Sequence, residues 1–252
     1  MTAAPAPRRL VLDLETKRSF DEVGGAENRA QLGVSVVGVY DYAEDRFLTF
    51  REAQFTELTA LLKNAEQIIG FNLIGFDWPV LAAELGEWVT ELPTLDLMIE
   101  AQKALGRRIS LDALAQATLG SSKLGSGLDA LEYYRAGEWE KLERYCLEDV
   151  KLTRDLYEYA CKYGQLFFQK GPRRAPIAMS FAEHPLAPMF REVAKARGSV
   201  QLSYGGKTRQ VDVTSFDGAY VRGYCHLRQK QLTFRLDKVE NAVRVASSTP
   251  LF

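Results

Sequence analysis

The stretch LVLDLETKRS, residues 10–19, opens on three apolar residues and then sets two acids around a fourth. A short apolar run of this kind reads as a buried strand. Side chains alternate along a strand, so Asp13 and Glu15 share one face. Two carboxylates side by side at the end of a core strand repel each other. They also lose solvation unless something positive sits between them. A strand that stops at Leu12 and leaves both acids in water explains the stretch equally well. The remainder of the chain has to decide.

Around this stretch the sequence alternates strand and helix signals. Residues 33–40 and 46–51 read as two further strands joined by a turn at 41–45. Helical spacing runs through 54–64 (Phe55, Leu58, Leu61, Leu62), and 67–71 is a short apolar strand. Residues 78–85 read as a helix with Asp77 as its N-cap or a first-turn residue and Pro79 allowed in the first turn. Helices follow at 96–105 and 110–119, where Ser110 is a good cap, and a long amphipathic helix occupies 138–165. The expected fold is an α/β domain with a mixed sheet flanked by helices. The stretch GPRRAPIAMSFAEHPLAP, residues 171–188, holds four prolines and reads as a linker. Beyond it come a helix at 189–197 and five short strands, the first two joined at Gly205-Gly206, which form a small all-β module. The expected domains are therefore 1–170, a linker at 171–188, and 189–252.

Composition narrows the chemistry. Of 252 residues, 46% are hydrophobic and 26% charged, which is ordinary for a soluble globular protein. No apolar run approaches the roughly 20 residues that span a bilayer. The start, MTAAPAPRRL, has no apolar signal core, so a cytoplasmic location is expected. Cys146, Cys161 and Cys225 show neither metal-ligand spacing nor a disulfide framework. Two histidines, His184 and His226, exclude a histidine-rich metal site. Any metal must be held mainly by oxygen, which favours hard cations such as Mg²⁺ or Mn²⁺. The net charge of −1 hides an asymmetry: residues 189–252 carry 11 Lys+Arg against 5 Asp+Glu, a balance of +6, and the rest carries 21 against 28, a balance of −7. A basic module suits a polyanionic partner, although solvated surface charge gives the same count.

Three motifs now stand in order: Asp13 and Glu15 in DLET, Asp77 in FNLIGFDWP, and Tyr145 with Asp149 in YCLEDV. On a helix Tyr145 and Asp149 are i, i+4 neighbours on one face. Over residues 8–165 this series resembles the DEDDy branch of the DnaQ-like 3′–5′ exonucleases, within the RNase H-like group. The resemblance implies two divalent cations, Mg²⁺ or Mn²⁺, about 3.5–4 Å apart. Asp13 would bridge both, Glu15 and Asp149 would complete the site that activates water, and Asp77 would hold the second ion. Tyr145 would orient the attacking water rather than take its proton, since a phenol titrates near pH 10. Leu14 and Thr16 would lie near the terminal nucleotide. Asn72 either contacts the strand or fixes its own loop. Phe76 reads as core more readily than as a stacking wedge, Asp96 as a helix cap more readily than as an acid supporting the metal ligands, and Arg107-Arg108 as solvent-facing. Lys123, in LGSSKLGSG, is a candidate phosphate contact beside the default of a solvated lysine.

The tail has a second resemblance. Gly223-Tyr224-Cys225-His226-Leu227-Arg228 and Phe234-Arg235-Leu236-Asp237 are similar to the WYL domains, small Sm-like barrels of bacterial regulators and nucleic-acid enzymes. The name-giving triplet is altered to Ala219-Tyr220-Val221. The resemblance implies nucleic-acid or nucleotide binding by Tyr220, His226, Arg228 and Arg235, through stacking and arginine–phosphate contacts. The alternative is that the aromatics pack the barrel and the arginines are surface charge. Together the two resemblances describe an exonuclease of single-stranded DNA, or of RNA, with a strand-gripping tail and a repair or replication protein as an external partner. A regulator on a retired nuclease fold would be expected to lack some of the carboxylates, and all four are present.

Overall fold

A computed structural model describes residues 8–121, 125, 127–179, 181, 186–216 and 220–245. The chain divides into two compact units, 1–181 and 182–252.

The first unit is built on a five-stranded sheet. Strand β1 spans Arg9–Thr16, β2 Val34–Asp41 and β3 Arg46–Phe50. Helix α1 (Phe55–Lys63) leads to β4 (Gln67–Gly70), helix α2 (Trp78–Leu85) to β5 (Thr94–Asp96). The order is β3-β2-β1-β4-β5, with β1 to β3 antiparallel and β4 and β5 parallel to β1. This is the mixed sheet that the pattern predicts. Strand β1 does not stop at Leu12; it runs through both acids to Thr16.

The alternation along β1 sorts the core into two. Leu10, Leu12 and Leu14 pack with Val37 and Val39 against α1 and α2. Val11, on the opposite face, packs with Tyr40 and Ile69 against α3 (Leu97–Leu105), α4 (Leu111–Leu119) and α6 (Trp139–Tyr163), which follow α5 (Gly127–Ala136). Asp13 and Glu15 share the Val11 face, so the sheet turns them toward α6. Gly38 lies opposite Asp13 in the register. A Cβ there would come within 2.8 Å of Cys146 Sγ and 3.0 Å of Val150 Cγ2, so its bare backbone lets α6 seat on the sheet.

Asp96, at the end of β5, caps α3 as expected, its carboxylate accepting from the amides of Met98 and Ile99. It also accepts from the amides of Asn72 and Ile74 at 2.9 and 3.1 Å, and so holds the turn after β4. Ser110 caps α4 through the Ala113 amide. Three readings need correction. Of the two readings of Asp77, the side-chain cap is not made: its backbone is helical, as a first-turn residue's is, and its carboxylate turns to β1. Helix α6 stops at Gly164, whose left-handed φ of 69° ends it, and Gln165 starts a new strand. Residues 173–178, inside the stretch read as a linker, form β7 (Arg173–Ala178), paired antiparallel with β6 (Gln165–Lys170). Leu166 and Ile177 are buried against α4 and α6, which holds the proline-rich segment in place. Helix α5 had no sequence signal strong enough to read, since its Ala130 and Leu131 are the buried residues among mostly polar neighbours.

The second unit has helix α7 (Ala187–Ala196) and strands β8 (Ser199–Tyr204), β9 (Lys207–Phe216), β10 (Tyr220–Cys225), β11 (Lys230–Arg235) and β12 (Val239–Arg244). They form one antiparallel sheet in the order β11-β10-β9-β8-β12. Gly205 and Gly206, both at positive φ, make the expected hairpin turn. Phe190 and Val193 of α7 pack on the face of Val200, Val211, Val221 and Phe234. The alternation in β10 leaves Tyr220, Arg222 and Tyr224 exposed on the other face.

Two stability effects follow. Gly38→Ala costs about 1–3 kcal/mol by overpacking against Cys146 and Val150, read as a lower urea midpoint at constant slope. Asp96→Ala removes the acceptor of four amides and costs about 2 kcal/mol or more, whereas Asp96→Asn recovers part of it in the same titration.

Candidate metal centre and active site

The expected acids come from three elements. Asp13 and Glu15 lie two residues apart on β1, with Leu14 between them turned into the opposite core. Helix α6 crosses their face, burying Leu142, Tyr145, Cys146, Asp149 and Val150 at helical spacing. Carboxylate oxygens of Asp13, Glu15 and Asp149 lie within 4.8 Å of one another. Asp77 arrives by another route. A single π-helical turn, Leu73–Asp77, follows the left-handed Asn72 (φ 71°), and Asp77 Oδ1 accepts from the Leu14 amide at 3.1 Å. Asp77 is 2% exposed, so its carboxylate is docked beside the DxE strand rather than left in water.

The field of these acids shows on its neighbours. Burial pushes the Tyr145 hydroxyl far above the ordinary phenol range, and Asp149, Glu15, Asp13 and Asp129 push it in the same direction. Burial raises the Cys146 thiol too, with Asp13, Glu15 and Asp149 adding to it. Both groups therefore stay protonated. Cys146 Sγ donates to the backbone oxygen of Asp13 at 3.6 Å. The donor set of the cluster is thus carboxylate oxygen, which fits a hard divalent cation such as Mg²⁺ or Mn²⁺ and relieves the mutual repulsion of the acids.

Around the cluster the other candidates separate. Thr16 Oγ donates to the Arg18 carbonyl at 2.9 Å, and the Leu14 amide is committed to Asp77. Asn72 has its backbone amide on Asp96 and its side-chain oxygen on Arg108. Phe76 packs on the core beneath α2, edge-on to Phe20 at 5.9 Å. Phe20 and Ile74 are exposed apolar residues on the segments that follow β1 and β4. Lys123 lies outside the described residues. Sequence reading did not find Asp129. It lies in the first turn of the unread α5, where a Cβ on Gly125 would meet its carboxylate at 2.6 Å and the Tyr145 ring at 3.5 Å. Arg29, which donates to the Gly75 carbonyl and so ties the loop after β1 to the π-helical turn, was missed as well. A long-range main-chain contact of this sort leaves no local pattern.

In the second unit, Tyr220 lies directly opposite Arg235 across β10 and β11. Arg222 sits over the Tyr220 ring at 6.0 Å, and Tyr224 meets His226 edge-on at 5.5 Å. His226 Nε2 is 2.8 Å from Asp212 Oδ2. Hydrogen bonding from Ser199 holds the Asp212 carboxyl below its usual range, with His226 contributing. Arg228 is exposed in the turn after β10.

No curated protein matches the sequence. Among the matching solved structures is the family B DNA polymerase from the hyperthermophilic archaeon Pyrobaculum calidifontis, at 21% identity and a TM-score of 0.48. That alignment covers 62% of this chain and 25% of the polymerase chain, so the present chain spans about a quarter of it. The model of the RNase H superfamily matches residues 12–161, a span that runs from β1 into α6 and includes Asp13, Glu15, Asp77, Asp129 and Asp149. The chain belongs to the RNase H superfamily.

Proposed function

We propose that the chain is a metal-dependent 3′–5′ exonuclease of the DEDDy type, acting on single-stranded ends, with DNA favoured over RNA. The observation that carries this reading is the convergence of Asp13, Glu15 and Asp149 within 4.8 Å, with Tyr145 one helical turn before Asp149. Phosphodiester hydrolysis joins a water oxygen to phosphorus and breaks the bond to the leaving 3′ oxygen. The water gives up a proton, and the leaving oxygen gains one. Asp13, Glu15, Asp77 and Asp149 would hold two divalent ions, which when bound lower the pKa of water and offset charge on the phosphate. The protonated Tyr145 hydroxyl donates a hydrogen bond that orients the attacking water or a phosphate oxygen. Asp77 stays oriented by the Leu14 amide. Thr16, Asn72 and Phe76 border the strand end, with Lys123 as a phosphate contact. The second unit, read as WYL-like and closing as a small barrel, grips the strand through Tyr220, His226, Arg228 and Arg235. The exposed Tyr220, Arg222 and Tyr224 of β10 and the +6 balance of that region support this part.

A 5′-labelled single strand, as DNA and as RNA, incubated with Mg²⁺ or Mn²⁺ is expected to shorten from its 3′ end, and EDTA abolishes the ladder. Asp13→Ala or Asp149→Ala lowers the rate by more than about a hundredfold. In EDTA the same variants melt no lower than wild type, because one repelling charge is gone. Retained cleavage in either purified variant removes the assignment. Replacing Tyr220 and Arg235 together by alanine weakens strand binding about tenfold in a low-salt titration. Equal affinity assigns those residues to structure alone.

A further inference from the structure

A cleft of about 590 Å³ opens between the turn after β4 and the start of α4. Its volume falls within the roughly 300–1,000 Å³ of ordinary ligand sites. Phe71, Met98 and Leu111 make it apolar, and Asn72, Arg108 and Ser110 line it with polar groups. We propose that this cleft seats one nucleotide of the substrate strand, with Arg108 taking the phosphate. The strand as ligand rests on the nuclease reading above.

Position is the first argument. Val11 pairs with Ile69 in parallel register, so the chain leaving β4 at Phe71 and Asn72 lies beside the Asp13 end of β1. From Asn72 the π-helical turn runs directly to Asp77, which is bonded to Leu14. The cleft and the acids therefore occupy the same end of the sheet, joined by five residues of fixed backbone.

Chemistry is the second. Arg108 is exposed, and its Nη2 donates to Asn72 Oδ1 at 3.1 Å. Among the described residues it has no carboxylate partner. A neutral acceptor orients the guanidinium but leaves its charge and further N–H groups for an anion. The turn is held through main-chain groups, since Asp96 accepts the amides of Asn72 and Ile74 and the Asn72 carbonyl accepts those of Gly75 and Phe76. The Asn72 side chain is instead spent on aiming Arg108. Arg107 behaves differently: its guanidinium lies over the Phe168 ring at 5.7 Å and bonds to the Arg108 carbonyl. Asp112 also lines the cleft.

The test reads binding and cleavage separately on the full chain. A short 5′-labelled single strand is titrated by fluorescence anisotropy in EDTA, over a range of salt. Arg108→Ala is expected to raise Kd about tenfold and to lower the slope of log affinity against log salt by about 0.7. Arg108→Lys keeps the slope and recovers only part of the affinity, because it lacks the fork. Arg107→Ala, the matched loss of charge, shifts Kd less than twofold. Equal effects of the two alanine variants, or none from either, overturn the proposal. Wild-type cleavage with Mg²⁺ is measured alongside. Arg108-selective binding without cleavage sinks the nuclease reading and leaves the cleft standing as a strand-binding site. Cleavage with Arg108-independent binding does the reverse.

Discussion

Three carboxylates whose oxygens approach within 4.8 Å set the terms for the rest of the first unit. Two unit charges 4 Å apart near a protein surface repel by about 4 kcal/mol. The surrounding fold must hold them, and it does so with two apolar cores on the two faces of one sheet. Leu10, Leu12 and Leu14 anchor β1 from one side, and Val11 with the buried stripe of α6 anchors it from the other. A site held apart from its own electrostatic preference is poised for cations. Carboxylate oxygens gathered in this way are the donor set that a hard divalent ion takes.

A second buried acid organises the approach to this cluster. Asp96 accepts from four amides, two of α3 and two of the turn after β4. It thereby fixes where β4 ends, and Asn72 in its left-handed conformation starts the π-helical turn that delivers Asp77. Asp77 closes the circuit through the Leu14 amide. Glycine does the complementary work at Gly38, where the missing side chain brings α6 close enough for Asp149 to reach β1. The acids are thus placed by one hydrogen-bond network and one close backbone approach, both outside the motifs themselves.

Much of this was legible beforehand. The strands on either side of the acids, the caps at Asp96 and Ser110, and the glycine hairpin of the second unit are local signals, each readable from a few adjacent residues. Other features escaped. Asp77 looked like a helix cap because it stands where caps stand. Only the distant Leu14 amide shows that its carboxylate is engaged elsewhere. The prolines at 172 and 176 suggested a linker, yet Leu166 and Ile177 find a core that the local sequence does not announce. Asp129 and Arg29 reach their partners through a helix and a carbonyl with no periodic mark.

From the sequence alone come the residue types and their order: Asp13 and Glu15 on one face of a strand, Tyr145 and Asp149 on one face of a helix. Those pairings are fixed by the two-residue and 3.6-residue periods of the backbone, which any reader of the chain can count. Tertiary structure decided that the two faces meet, that Asp149 joins the β1 acids while Asp77 docks on the Leu14 amide, and that Arg108 is held by Asn72 over an open cleft. Periodicity specifies which way a side chain points along its own element. Only packing between elements far apart in the chain specifies what it points at.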